Sequence, residues 1–225
     1  WPEFGQKSKQ PITVRQLLCH EAGLYHIRDM IDDAEQMMDW NYMVGAIEQA
    51  KPIHTPGATN GYHAFTFGWL IGELIQRVTG KPFGIVLQEK LAGPLELDGL
   101  YVGLPDTQLK RRAELVNSIG KNTPRFQAER QLQKIVLRAV TQGLKVARID
   151  LDKTIAALIP KGALYLDFNS PDFATSCIPS ANGMFTARSL AKMYAMLANG
   201  GELDGVRILS RDAVNRIMQI QNRTM

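Results

Sequence analysis

Apolar residues recur at helical spacing in several stretches of the chain, and runs rich in proline and glycine separate them. In the first stretch Thr13 stands where an N-cap would, and Val14, Leu17 and Leu18 follow on one face before Gly23 ends the turn. Residues 33–50 predict a second helix, with Met37, Met38, Met43, Val44 and Ile47 on its apolar side and Pro52 just past its end. A methionine stripe at that spacing belongs to a core. The segment 51–61 holds two prolines and two glycines, which exclude regular structure and predict a tight, shaped loop. A strong helix over about 64–78 comes next: Phe67, Leu70, Ile71, Leu74, Ile75 and Val78 form its stripe, and Gly80 lies just beyond. A further helix over 82–91 has Pro82 in its first turn and stops before Gly93-Pro94.

The period then changes. Residues 100–104 are short, apolar and closed by Pro105, which is the pattern of a strand. Residues 106–168 read as an insertion over the core, with the placement of a lid; within it Leu132, Ile135, Val136 and Ala139 suggest one basic amphipathic helix, and the rest is polar. Beyond a turn at 169–172, Thr186 caps a helix striped by Ala187, Leu190, Ala191, Tyr194, Leu197 and Ala198, which ends at Asn199-Gly200-Gly201. Ser210 caps a last helix containing Val214, Ile217 and Met218, and no internal repeat is visible.

With 225 residues, 45% of them hydrophobic, the chain can bury a core well above the marginal size. No run reaches the roughly 18 apolar residues of a membrane span. The start, Trp1-Pro2-Glu3-Phe4-Gly5, has neither the basic head nor the apolar stretch of a signal peptide, and a chain opening on Trp is expected to have been processed or excised. Cys19 and Cys177 lie far apart, fit no metal spacing and read as buried free thiols, which suits a reducing, cytoplasmic setting. His20, His26, His54 and His63 lack the i, i+4 pairing of a helical zinc site, so neither a metal nor another cofactor is expected. The formal charge of +4 is uneven, because ten Lys or Arg between 110 and 148 are matched only by Glu114 and Glu129. Phe126 is the sole aromatic there and no recognition motif is present, so the stretch reads as a solvated face and not as a nucleic-acid footprint.

The loop 51–61 delivers Tyr62 and His63 to the start of a buried helix, where the helix N-terminus favours developing negative charge. Tyr62 is therefore a candidate base; the alternative is an ordinary hydrophobic staple. His63 reads either as a polar contact for a substrate or as an inward-facing group bonded to the backbone. His20 and His54 read as structural histidines, and Glu73 as the ion-pair partner of Arg77 one turn on.

Three blocks of sequence add to this picture. Ile12-Thr13-Val14-Arg15-Gln16-Leu17-Leu18-Cys19-His20-Glu21-Ala22-Gly23-Leu24 resembles the ITVRxLLxHxxGL segment of serine β-lactamase-like esterases and penicillin-binding-protein-like hydrolases. Pro56-Gly57, Gly61-Tyr62-His63-Ala64, Gly68-Trp69-Leu70-Ile71-Gly72-Glu73-Leu74-Ile75 and Thr79-Gly80-Lys81-Pro82-Phe83 are similar to that family's second and most specific block. Asn182-Gly183 with residues 186–191, 197–201 and 205–210 resembles the third, whereas 106–168 matches none.

The resemblance implies an α/β fold of the β-lactamase/transpeptidase-like type, of which this chain is mainly the helical part with few strands. It also implies attack on a small ester or amide by the Ser of a Ser-x-x-Lys motif, with the Lys and a Tyr relaying protons and backbone N–H groups stabilising the tetrahedral intermediate. Tyr62 falls on that Tyr. The third position of its motif, often Asn, is Ala64 here; the missing side-chain amide leans the expectation away from β-lactams and toward esters. Ser180-Ala181-Asn182 imitates the Ser-x-Asn motif of related enzymes, so Ser180 and Asn182 join His63 as expected substrate contacts on a loop near the site.

In the family the Ser-x-x-Lys precedes the first block by several tens of residues. It is therefore expected upstream of Trp1, and the last motif beyond Met225, which makes 1–225 a partial domain. Two Ser-x-x-Lys strings follow Tyr62, at Ser118 and Ser189; Ser189 falls in the first turn of a structural helix and Ser118 in the polar basic segment. The expectation is a serine hydrolase in the full-length parent, and the alternative is a non-catalytic β-lactamase-like binding module or inactive fragment.

Overall fold

The computed structural model describes residues 1–116, 151–163 and 165–222. Its first half carries helices α1 (Val14–Leu18), α2 (Ile27–Met30), α3 (Trp40–Gln49), α4 (Thr66–Thr79) and α5 (Phe83–Leu87), followed by strand β1 (Leu100–Val102). The second half carries α6 (Leu151–Leu158), α7 (Pro171–Thr175), β2 (Gly183–Phe185), α8 (Ala187–Ala198), β3 (Glu202–Leu203), β4 (Val206–Arg207) and α9 (Arg211–Ile217). The basic helix expected around Leu132 to Ala139, and the Ser118 string, lie outside the described residues.

Helix boundaries follow local chemistry. Thr13 and Gln16 form a reciprocal capping box on α1: the Gln16 N–H donates to Thr13 Oγ1 at 3.2 Å and the Thr13 N–H to Gln16 Oε1 at 2.9 Å. Thr186 and Ser210 cap α8 and α9, and Gly80 closes α4 in the left-handed region. The span 33–50 is two elements and not one helix. A 3-10 turn at Ala34–Met38 ends at Asp39, whose backbone is extended and whose carboxylate accepts the Tyr42 N–H at 3.0 Å, so that α3 starts afresh. The apolar pattern runs across the break because Met37, Met43 and Ile47 enter the same core.

Helix α4 is central to that core. Trp69 and Leu70 are buried in one cluster with Leu24, Ile27, Met43, Ile47, Phe173 and Ile178. The buried face differs from the expected bulky stripe: Val78 is 85% exposed, while Gly68, Gly72 and Glu73 are buried. Close approach explains this. A Cβ on Gly68 would lie 2.7 Å from Ser180 Oγ, and one on Gly72 would lie 2.6 Å from the Trp40 ring, so α4 packs through its smallest residues. Glu73 survives burial because its carboxylate accepts from Trp40 Nε1 at 2.9 Å and from Arg77 Nε at 2.7 Å.

Strands are few. β1 pairs antiparallel with β2, Tyr101 opposite Met184, over a second cluster containing Leu95, Leu97, Leu100 and Met196. β3 and β4 form a hairpin through Asp204-Gly205, both with positive φ. Among the described residues no helix is long and apolar enough to cross a membrane.

Candidate active site

Loop 51–61 is pinned to residues 20–23 by three main-chain hydrogen bonds. The Ile53 N–H donates to Gly23 O, the Gly57 N–H to Glu21 O and the Gly61 N–H to His20 O, each at 2.9 Å. Glycine is required where the loop turns and where it ends. Gly57 has φ +83°, and Gly61 passes so close to Tyr25 that a Cβ would fall 2.0 Å from the ring. The chain therefore arrives at Tyr62 with little freedom.

Tyr62 stands on a cleft of about 380 Å³ bordered also by His20, His63, Ala64, Phe67, Phe83 and Ser180, and it is 65% exposed. Its neighbour His63 is almost wholly buried: Nε2 accepts the Leu24 N–H at 3.0 Å and Nδ1 donates to Gly61 O at 2.7 Å. Thr66 Oγ1 donates to Leu24 O at 2.7 Å, so one side chain just before α4 and one in its first turn satisfy both backbone groups of a fully buried residue. Burial pushes His63 down to about 3, which keeps the ring neutral in the tautomer those bonds need. Of the two alternatives for His63, the inward-facing one is what the structure shows.

Ser180 is brought to the cleft, on the turn that packs against Gly68. Asn182 is not. Its Nδ2 donates to Phe173 O at 2.9 Å and Ser176 O at 2.6 Å, and its Oδ1 accepts the Ile178 N–H at 3.0 Å. The amide thus ties the turn that carries Ser180, and Asn182 borders a separate cavity of about 480 Å³ with Tyr101, Arg112 and Met184. Ser189 is buried, accepts from Thr186 Oγ1 at 2.9 Å and lies off the Tyr62 cleft, as does Lys192, whose Nζ donates to Leu95 O.

A residue that sequence reasoning placed with the structural histidines, His20, proves to line the cleft. Its ring meets Tyr62 edge-on at 5.2 Å, its Nδ1 accepts the His63 N–H at 3.2 Å, and burial lowers its pKa. The two histidines are 43 positions apart, and no spacing rule joins residues at that distance. Both cysteines are free, and burial pushes the Cys177 thiol up to about 11, away from reactivity. Among the described residues no group of three or more His, Cys, Asp or Glu could hold a metal ion.

Comparison with known proteins bears on the family and the fold. The β-lactamase family model matches residues 1–219. The chain is 33% identical over 227 aligned residues to Esterase/beta-lactamase LipL of Mycobacterium tuberculosis, with all of this chain and 49% of that protein covered. Among solved structures, a novel penicillin-binding protein homolog from Caulobacter crescentus is 30% identical with a TM-score of 0.75, covering 100% of this chain and 53% of its own. A family VIII carboxylesterase is 31% identical with a TM-score of 0.73, at 96% and 51% coverage. The chain spans about half the length of these relatives. The fold is the β-lactamase/transpeptidase-like α/β type, represented here mainly by its helices. With a family match that runs from Trp1 to Gln219 and solved relatives that share the fold, this chain belongs to the β-lactamase family.

Proposed function

We propose that this chain contributes Tyr62 as a proton relay to a serine hydrolase that cleaves small esters or amides through an acyl-enzyme. The placement of Tyr62 carries the reading: an exposed phenol, on a loop pinned by three main-chain bonds, beside a cleft. In the reaction the serine oxygen bonds to the substrate carbonyl carbon, and its proton passes by way of the Tyr62 oxygen to the departing alkoxide or amine. Water then attacks the acyl-enzyme, releasing the acid and returning the proton to serine. The nucleophile and its lysine are supplied from outside the described cleft residues. Ala64 presents a methyl group where an amide would bind a carbonyl, which favours simple esters over lactams. The names of the relatives, an esterase/β-lactamase and a carboxylesterase, are of the same class.

The test is burst kinetics with an activated ester on the full-length protein. A stoichiometric burst is expected, slowed on the order of 10²–10⁴-fold in Tyr62→Phe with the fold retained. Unchanged rates would remove Tyr62 from the mechanism. If a fluorophosphonate probe leaves every serine unmodified by mass, the non-catalytic binding module is the correct reading instead.

A further inference from the structure

We propose that His20 is a positioning residue for Tyr62, a role that rests on the reading of Tyr62 given above. His20 holds the residue on either side of the phenol: its carbonyl accepts the Gly61 N–H at 2.9 Å, and its Nδ1 accepts the His63 N–H at 3.2 Å. Its ring also forms a wall, edge-on to Tyr62 at 5.2 Å and tilted against Phe67 at 4.9 Å. One residue of a different segment therefore sets both the backbone that carries Tyr62 and a surface on which its ring rests.

The backbone of His20 is left-handed, with φ +59°, a conformation that glycine and asparagine adopt more readily. What histidine adds at this position is the ring and its acceptor. Nδ1 accepts only when it carries no proton, so the brace works in the neutral ring with its proton on Nε2. Burial lowers the pKa of His20 and favours that form. Among the described residues, the titratable rings packed against it are those of Tyr62 and His63, and His63 stays neutral down to about 3. Other groups on the same cleft, Ala64, Phe67 and Phe83, carry no charge.

Two substitutions separate the brace from the turn. His20→Gly relieves the left-handed backbone while removing ring and acceptor, and His20→Asn also tolerates that backbone but returns an acceptor oxygen near the Nδ1 position. With 3-fluorotyrosine at position 62 of the 225-residue chain, both variants remove the His20 ring and shift the fluorine resonance; the line is expected to broaden in His20→Gly, where the phenol is no longer held, and to stay narrow in His20→Asn. In the full-length protein His20→Gly should lower kcat about 10–100-fold with KM within about twofold, and His20→Asn should restore most of it. A fluorine line in His20→Gly as narrow as in the unmodified chain overturns the proposal, and so does equal broadening in both variants, because the acceptor would then not be what holds the phenol. If the resonance behaves as expected but Tyr62→Phe leaves the burst unchanged, the catalytic reading of Tyr62 falls and the brace stands.

Discussion

Gly61 and His63 flank the exposed Tyr62, and both act on the buried side of the loop. Gly61→Ala would drive a methyl group into Tyr25, whose ring is wedged against His26, His54 and His63 at 5.0, 6.0 and 5.4 Å. A loss of roughly 1–3 kcal/mol is expected from the denaturant midpoint, together with slower acylation, since the backbone entering Tyr62 must move. His63→Ala should destabilise by roughly 2–4 kcal/mol in the same measurement, because it opens a cavity and leaves the buried Leu24 N–H without a partner. At this scale the sequence marks candidate polar residues but not which way they face. Tyr62 and His63 were both legible as polar groups at the start of a helix; the orphan N–H of Leu24, which turns His63 inward, belongs to another segment.

At the scale of elements, the caps at Thr13, Thr186 and Ser210 were legible because a cap is a contact among residues within about four positions. The hairpin at Asp204-Gly205 carries an equally local cue, the dipeptide that a type I′ turn favours. The break at Asp39 is harder to see, since the residues on both sides of it serve one core. Helix α4 shows the larger limit. Its bulky stripe suggests a buried Val78, yet the helix docks through Gly68 and Gly72. Leu70→Ala is therefore expected to cost about 2–5 kcal/mol in unfolding, and Val78→Ala no more than about 0.5 kcal/mol. Lys9 is a comparable surprise: it is buried, and its Nζ donates to the carbonyls of Ile47, Glu48 and Ala50 at 2.8, 2.6 and 2.6 Å, closing the end of α3. Lys9→Met keeps the stem and strips three carbonyls of their donor, so a loss of roughly 2–4 kcal/mol is expected.

For the whole molecule, the four histidines that look scattered in sequence converge on one run of rings, from Tyr62 through His20 and His63 to Tyr25, His26 and His54. This has a consequence for pH. His63 has a folded pKa of about 3 against an ordinary value of 6.5, so below 6.5 the unfolded chain takes up the proton that the folded chain refuses. Its stabilisation is complete above pH 6.5 and is lost as pH falls toward 3, at about 1.4 kcal/mol per pH unit; His20, also lowered by burial, adds to the same side. Denaturant midpoints from pH 7 down to 4 should fall steadily, and His63→Gln should flatten the slope. A midpoint that stays level over that range in the unmodified chain would contradict the neutral, buried His63.

The helices that local caps define, the shaped loop before Tyr62 and the three family blocks were written in the chain, since each rests on neighbours a few residues apart. The order of those blocks was enough to indicate the fold class. Tyr62 and Ser180 were expected near one site, but the contacts that assemble the cleft were not written there. His20 reaches the Tyr62 loop across 43 positions, Asn182 turns away to bind Phe173, Ser176 and Ile178, and Ser180 is carried to the cleft against Gly68 of a distant helix. Those relations arise when buried donors and acceptors of separate segments must satisfy one another, a condition that exists only after the chain has closed on itself.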